Sequence, residues 1–161
     1  RVAASTSPSL TAPIPPPARR GRRGVAAHVH GGFVRGDDAT LLGLGGVGLE
    51  LERRGRFDLH LGIGLDAGRG YSIPHVQLSS SVGLFRIGAV HVAPELGVEV
   101  GAAFTKESGD SAVAGGFVGA RGRFRLGDGW SGVARMTFHG ITSGSATGQL
   151  GSIGIGVRRD L

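Results

Sequence analysis

From Val25 onward the chain alternates between apolar residues and polar or very small ones with a period of two. That is the repeat of a β-strand, whose side chains point to opposite faces in turn. The clearest stretch is 57–68, with Phe57, Leu59, Leu61, Ile63, Leu65 and Ala67 on one face and Asp58, His60, Gly62, Gly64, Asp66 and Gly68 on the other. A helix would scatter these residues around its circumference. The same division recurs along the chain and predicts eight strands, at 25–35, 41–53, 57–68, 75–86, 90–104, 113–126, 130–140 and 149–160. Arg54-Gly55-Arg56, Gly88-Ala89 and Gly127-Asp128-Gly129 read as short turns. The connections near Gly36-Asp37-Asp38 and over 68–74, 105–112 and 141–148 read as somewhat longer. Short and longer connections then alternate, the meander of an all-β, eight-stranded antiparallel up-and-down barrel. Pro94 interrupts the fifth strand, because proline has no ladder donor. Either pairing there starts at Glu95 or Pro94 marks a bulge near a rim.

Composition narrows the class. The chain has 161 residues, 32 of them Gly, and no Cys, so disulfide frameworks, thiol nucleophiles and thiolate metal sites are excluded. Gly follows no three-residue period, which excludes collagen. No apolar run is long enough for a transmembrane helix. The net charge of +6 invites a nucleic-acid reading, but its distribution argues against one. Residues 1–24 carry Arg1, Arg19, Arg20, Arg22 and Arg23 with no acid, whereas 25–161 are nearly balanced, with 13 basic and 12 acidic residues. The division is a flexible Pro- and Arg-rich segment, 1–24, followed by a barrel, 25–161. The basic segment has no interleaved aromatics on which bases would stack, so no nucleic-acid partner is expected.

A soluble barrel buries its apolar face inside; a membrane barrel turns it outward. Here the polar face is mostly Gly, Ser, Ala and Thr with occasional charges, which suits an eight-stranded interior only wide enough for side chains to fill. Its acids, Glu50, Glu52, Asp58, Asp66, Glu95 and Glu99, lie on the second, third and fifth strands. Its arginines, Arg121, Arg123, Arg125, Arg135 and Arg158, lie on the sixth to eighth, so the two sets are expected to close an ion-pair network across the lumen. About ten residues per tilted strand span roughly 25 Å, the height of an outer-membrane apolar band. Phe57, Phe124 and Trp130 beside the short turns, and Phe33, Tyr71 and Phe104 beside the longer ones, are expected to form two interfacial girdles. Arg35, Arg53 and Arg86 share the apolar-face parity only at strand ends, within reach of headgroups.

This pattern over 25–161 resembles the small eight-stranded outer-membrane β-barrels of Gram-negative bacteria, the OmpA/OmpX-like superfamily. The final strand, Gly154-Ile155-Gly156-Val157-Arg158-Arg159-Asp160-Leu161, is similar to the carboxy-terminal signal read by the outer-membrane assembly machinery. It departs from that signal in ending on Leu161 rather than an aromatic, and in placing Arg159 where an apolar residue is commoner. The resemblance implies insertion from the periplasm, a periplasmic amino-terminal segment, short periplasmic turns and longer external loops. Its partners would be outer-membrane lipid, lipopolysaccharide and that assembly machinery.

The chemistry is sparse. Arg135-Met136-Thr137-Phe138-His139 is similar to a segment of the lipid A deacylases, in which a His is followed two positions later by a nucleophilic Ser. Here that position is Ile141, and Ser143 and Ser145 are at the wrong spacing, so His139 is the sole catalytic candidate. His28 and His30 share one face of the first strand and would need His60 as a third metal ligand; hydrogen bonding in the lumen accounts for them without a metal. Gly43 to Gly48 lacks the Lys-Ser/Thr of a phosphate loop. Three functions follow. The first is a monomeric outer-membrane barrel, structural or surface-interacting, without cofactor, metal or wide pore, contacting lipopolysaccharide or other partners through loops such as 105–112. The second is a lipid A-modifying barrel enzyme using His139. The third is a soluble β-barrel that binds an apolar ligand.

Overall fold

The computed structural model describes residues 22–36, 41–83, 85–106, 109–144 and 146–161. Its strands are β1 (Arg23–Gly36), β2 (Leu41–Arg53), β3 (Asp58–Gly68), β4 (Tyr71–Ser81), β5 (Phe85–Ile87), β6 (Val90–Thr105), β7 (Gly109–Gly127), β8 (Trp130–Ser143) and β9 (Ala146–Asp160). Each pairs antiparallel with its neighbours, β1 closes on β9, and β4 and the three-residue β5 pair successively with β6. Together β4 and β5 make one interrupted wall strand, so the closed barrel has eight. Closure gives every long strand a partner on both edges, as a sheet in lipid requires, and among the described residues only the short β5 pairs on one side, with β6.

Pro94 explains the interruption. β6 is paired to β7 continuously through Pro94 and Ala120, but on its other side the register passes from Ser81–Glu95 to Phe85–Val92. The register thus moves on by four residues against three on β6, and Val82 N–H donates to the Pro94 carbonyl at 3.3 Å. The break expected in the proline's own strand therefore falls in its neighbour.

The longer connections are mostly absorbed into the wall. β4 begins at Tyr71, β7 at Gly109 and β9 at Ala146, while β8 runs on to Ser143, leaving only 69–70, 106–108 and 144–145 between strands. Of the expected loop 105–112, Thr105 belongs to β6 and 109–112 to β7, and 107–108 lie outside the described residues. Gly70, Gly109 and Gly144, at φ of +85°, +81° and +61°, supply left-handed backbone at these turns. Beyond the apolar stretch the ladder continues without an apolar face, helped by Ser143 donating to Ser111 at 2.7 Å and Thr105 to the Gly109 carbonyl at 2.8 Å. The 36–38 connection lies largely outside the described residues. At the opposite end sit the turns 54–57, 88–89 and 128–129, with the carboxy terminus and Arg22, where the described chain begins. There Leu161 N–H donates to the Arg23 carbonyl at 3.0 Å and Arg54 N–H to that of Arg22 at 2.9 Å. β1 thus starts two residues before Val25, taking Arg23 and Gly24 from the segment expected to be a tail.

Candidate functional site: the lumen

Burial is inverted relative to a soluble protein. Glu50 is 2% exposed and Arg158 fully buried, whereas Ile153, Leu96 and Val118 are 67%, 66% and 63% exposed. A contiguous apolar exterior on this scale belongs in lipid rather than water. The barrel is therefore of the membrane-spanning kind, and the soluble reading is excluded by its faces.

Inside, the polar parity of each strand stacks side chains in layers. In the middle layer Arg121 on β7 reaches across the barrel to Glu50 on β2 with two hydrogen bonds, 2.7 and 3.0 Å, and also contacts Glu95 on β6 at 3.2 Å. Arg135 on β8 forks onto Glu95 through Nε and Nη2, both 3.0 Å, and lies 3.4 Å from Glu50. Gln77 donates to Glu50 at 2.9 Å and Ser79 to Glu95 at 2.6 Å, so each carboxylate is shared by two guanidiniums and a neutral donor. Two acids against two arginines leaves the layer neutral, and bidentate charge-assisted bonds are what make such burial tolerable.

Toward the termini, Glu52 accepts from Arg123 and from Arg158, and Arg158 also reaches Asp160. Arg123 lies 3.7 Å from Asp58, and His60 pairs with Ser81 at 3.0 Å. Arg125 is elsewhere. Its side chain is exposed at the rim and lies 4.0 Å from Asp128 in the adjoining turn, apart from the lumen ion pairs.

Toward the other end the chemistry changes. Glu99 bonds His139 Nδ1 at 2.8 Å, His139 Nε2 bonds Thr137 at 2.8 Å, and Thr137 bonds Ser152 at 2.8 Å. Across from this chain, Asp66 bonds His30 at 2.5 Å and lies 3.7 Å from His75. His28 packs on His30 with ring centroids 5.7 Å apart. Between the two groups is a cavity of about 20 Å³, room for one water. His60 is in the opposite half of the lumen, so the three histidines weighed as a metal set do not meet.

Phe117 is the only aromatic among the buried apolar residues described in this interior, the others being Ala26, Leu44, Val113, Val133 and Leu150. Arg135 stacks on its ring at 5.0 Å, and the His139 ring lies 4.9 Å away. It fits because Gly97 faces it across the β6–β7 ladder, where a Cβ would sit 2.5 Å from the Phe117 ring. Gly64 makes the same provision for His75, whose Nε2 would be 2.5 Å from an added Cβ.

His139 has a carboxylate and a hydroxyl partner, but Glu99, His139 and Thr137 are all buried inside the wall. Ser143 lies four residues along the same strand, about 13 Å away at strand rise, and is bonded to Ser111. Ser145 lies outside the described residues. No hydroxyl open to lipid stands beside the imidazole among the described residues, and the geometry gives the deacylase reading no support. Of the aromatics, Phe57 and Trp130 face outward near the termini end, with Phe124 leaning over Gly132. Phe33 and Phe104 face outward near the other end. Tyr71 instead has inward parity, lies against Gly68 and donates to the Gly43 carbonyl at 3.2 Å.

No protein-family model matches the chain, and no curated protein matches its sequence. Among solved structures it is similar to Neisserial surface protein A (NspA), with a TM-score of 0.72 at 10% identity over 86% of this chain and 97% of that one. Lesser likenesses are a major outer membrane protein of Thermus thermophilus (TM-score 0.48, 13% identity, 86% and 99% covered) and the attachment invasion locus protein Ail of Yersinia pestis (0.45, 14%, 86% and 99%). Closure, eight wall strands, an apolar exterior and a charged interior, together with the first of these likenesses, give this chain the fold of the small eight-stranded outer-membrane β-barrels.

Proposed function

We propose that the chain is a sealed outer-membrane barrel with a structural or surface-interaction role, which acts through its rim and outer wall and passes no solute. The observation that carries this reading is the Arg121–Glu50 fork across the lumen, which with Arg135 and Glu95 fills the cross-section. The termini, and with them the Arg-rich segment, face the periplasm; the rim formed by Lys106, Asp110, Ser111 and Ser143 faces outward to lipopolysaccharide and other surfaces. Closure of β1 on β9 leaves no long strand waiting for a second chain, which supports a monomer. Its last strand, ending in Arg158-Arg159-Asp160-Leu161, is the element the assembly machinery would read.

Refolding into vesicles followed by gel electrophoresis of boiled and unboiled samples tests closure. Planar-bilayer recordings on the same protein test sealing. A band that shifts on boiling with no conductance steps supports the reading, and regular steps of ion conductance overturn it. Protease access in whole cells to a site inserted at the 144–145 turn, against one at the amino terminus, decides orientation.

A further inference from the structure

The outer wall carries a recess. Ala27, Gly132 and Ala134 stand among larger outward residues, with Gly132 paired to Val157, Ala134 to Ile155, and Ala27 to both Val157 and Leu49. The small residues leave an apolar trough of about 900 Å³ running from β3 across β2, β1, β9 and β8 to β7. At β7 it reaches Phe124 and Leu126, close to the 128–129 turn at the termini end.

One outward position below Gly132 and Val157 lie Trp130 and Arg159, paired across the ladder, with the Arg159 guanidinium 5.1 Å from the centre of the Trp130 ring. Arg23 and Arg53 face outward on the next two strands and are paired with each other in register. All three arginines are exposed, and among the described residues no acid pairs with them. The acid at this point of the rim, Asp160, is taken by Arg158 and lies 3.9 Å from Arg22. An apolar trough thus ends one outward position from Arg159, with Arg23 and Arg53 one outward position further along their strands beyond Val25 and Leu51, and none of the three guanidiniums is paired with an acid among the described residues. Guanidinium binds phosphate through paired N–H donors, and a phospholipid's phosphate lies directly above its acyl chains.

We propose that this recess is a docking site for one anionic phospholipid of the leaflet at the termini end, with an acyl chain in the trough and the phosphate on Arg159 and Arg23, Arg53 alongside. Assigning that leaflet to the periplasmic side rests on the orientation proposed above; the docking itself does not.

The chain's only tryptophan, Trp130, reports on the site directly. The full chain is refolded into phosphatidylcholine vesicles containing a minor fraction of lipid with brominated tails, either phosphatidylglycerol or phosphatidylcholine, and Trp130 fluorescence is followed. Brominated phosphatidylglycerol is expected to quench at a severalfold lower fraction, and Arg159→Ala and Arg23→Ala each to reduce that preference about fivefold. Ala134→Phe, which fills the trough without altering charge, is expected to reduce it too. Unboiled gels confirm that each variant is closed. Equal quenching by the two lipids overturns the proposal. A preference untouched by Ala134→Phe also overturns it, leaving only attraction to the rim. With the brominated phosphatidylglycerol confined to one leaflet and insertion direction read by protease, quenching from the leaflet at the termini end supports docking in either insertion direction. Quenching from the opposite leaflet overturns it.

Discussion

The two halves of the lumen are built from different connections. In the middle and toward the termini, ion pairs cross the barrel: Arg121 and Arg123 on β7 reach Glu50 and Glu52 on β2, and Arg158 on β9, two strands from β2, joins Arg123 on Glu52. Toward the other end the bonds stay on one side. Glu99, His139, Thr137 and Ser152 link β6, β8 and β9, while Asp66, His30 and His75 link β3, β1 and β4, and the small cavity separates the groups. The first half is a brace in which every carboxylate has several cationic or neutral donors. The second is two local clusters with room for water between them. Eight strands fix the diameter, so the choice between the two is made by side-chain reach: Arg and Glu together span the interior, whereas His paired with Asp or Glu does not. Loss of a partner should therefore cost most in the brace, where it strands a buried carboxylate that shared two guanidiniums.

The largest effect is expected from Arg121→Ala. It leaves Glu50 and Glu95, both buried, with Arg135 as their shared cation, and removing one member of a buried charge set costs about 3–5 kcal/mol. The readout is the urea midpoint for loss of the unboiled band in detergent. Glu50→Leu combined with Arg121→Met should restore much of that loss, because no charge is then stranded. A double variant as unstable as the single would show that the crossing pair holds the barrel through more than charge balance.

His139→Ala probes the other half. It deprives Glu99 and Thr137 of a partner, but the neighbouring cavity lets water reach them, so the cost should be about 1–3 kcal/mol and below that of Arg121→Ala. Equal losses in the same midpoint assay would erase the distinction between brace and clusters.

Gly64→Ala should cost less again, about 1 kcal/mol, because the added methyl meets the His75 ring, which can swing toward the cavity. Gly43→Ala, where nothing lies within 4 Å, should be neutral or slightly stabilising, and a matched loss at both positions would mean that close approach to His75 is not what Gly64 provides.

The faces and the pairing of strands were legible in the sequence because both follow from a period of two, which survives long turns and irregular ends. The ends were not. Residues such as Ser111, Thr142, Ser143 and Thr147 carry no apolar face, so alternation falls silent while the backbone ladder continues. Phe117 was also missed: an apolar residue on the polar parity looks like noise until Gly97 is seen opposite it. The docking trough was invisible for a related reason. It depends on which small outward residues become neighbours across strands, Ala27 beside Val157 and Gly132 beside Phe124, and register is a tertiary fact.

Arg125 gives the smallest expected effect and the sharpest limit on parity as a guide. It continues the series Arg121, Arg123, Arg125 at the same spacing, yet Arg121 is buried, Arg123 partly so, and Arg125 open to solvent, because β7 leaves the lumen between the second and third. The register shift against β8 comes just after it, between Arg125 and Gly127. Its contact with Asp128 is an exposed pair at the limit of ion-pair distance, in a position where water screens both charges. Arg125→Ala should leave the urea midpoint unchanged, while Arg123→Ala, which takes a donor from buried Glu52, should lower it. A loss at Arg125 comparable with that at Arg123 would mean that the brace extends past the turn and that the rim is as closed as the wall.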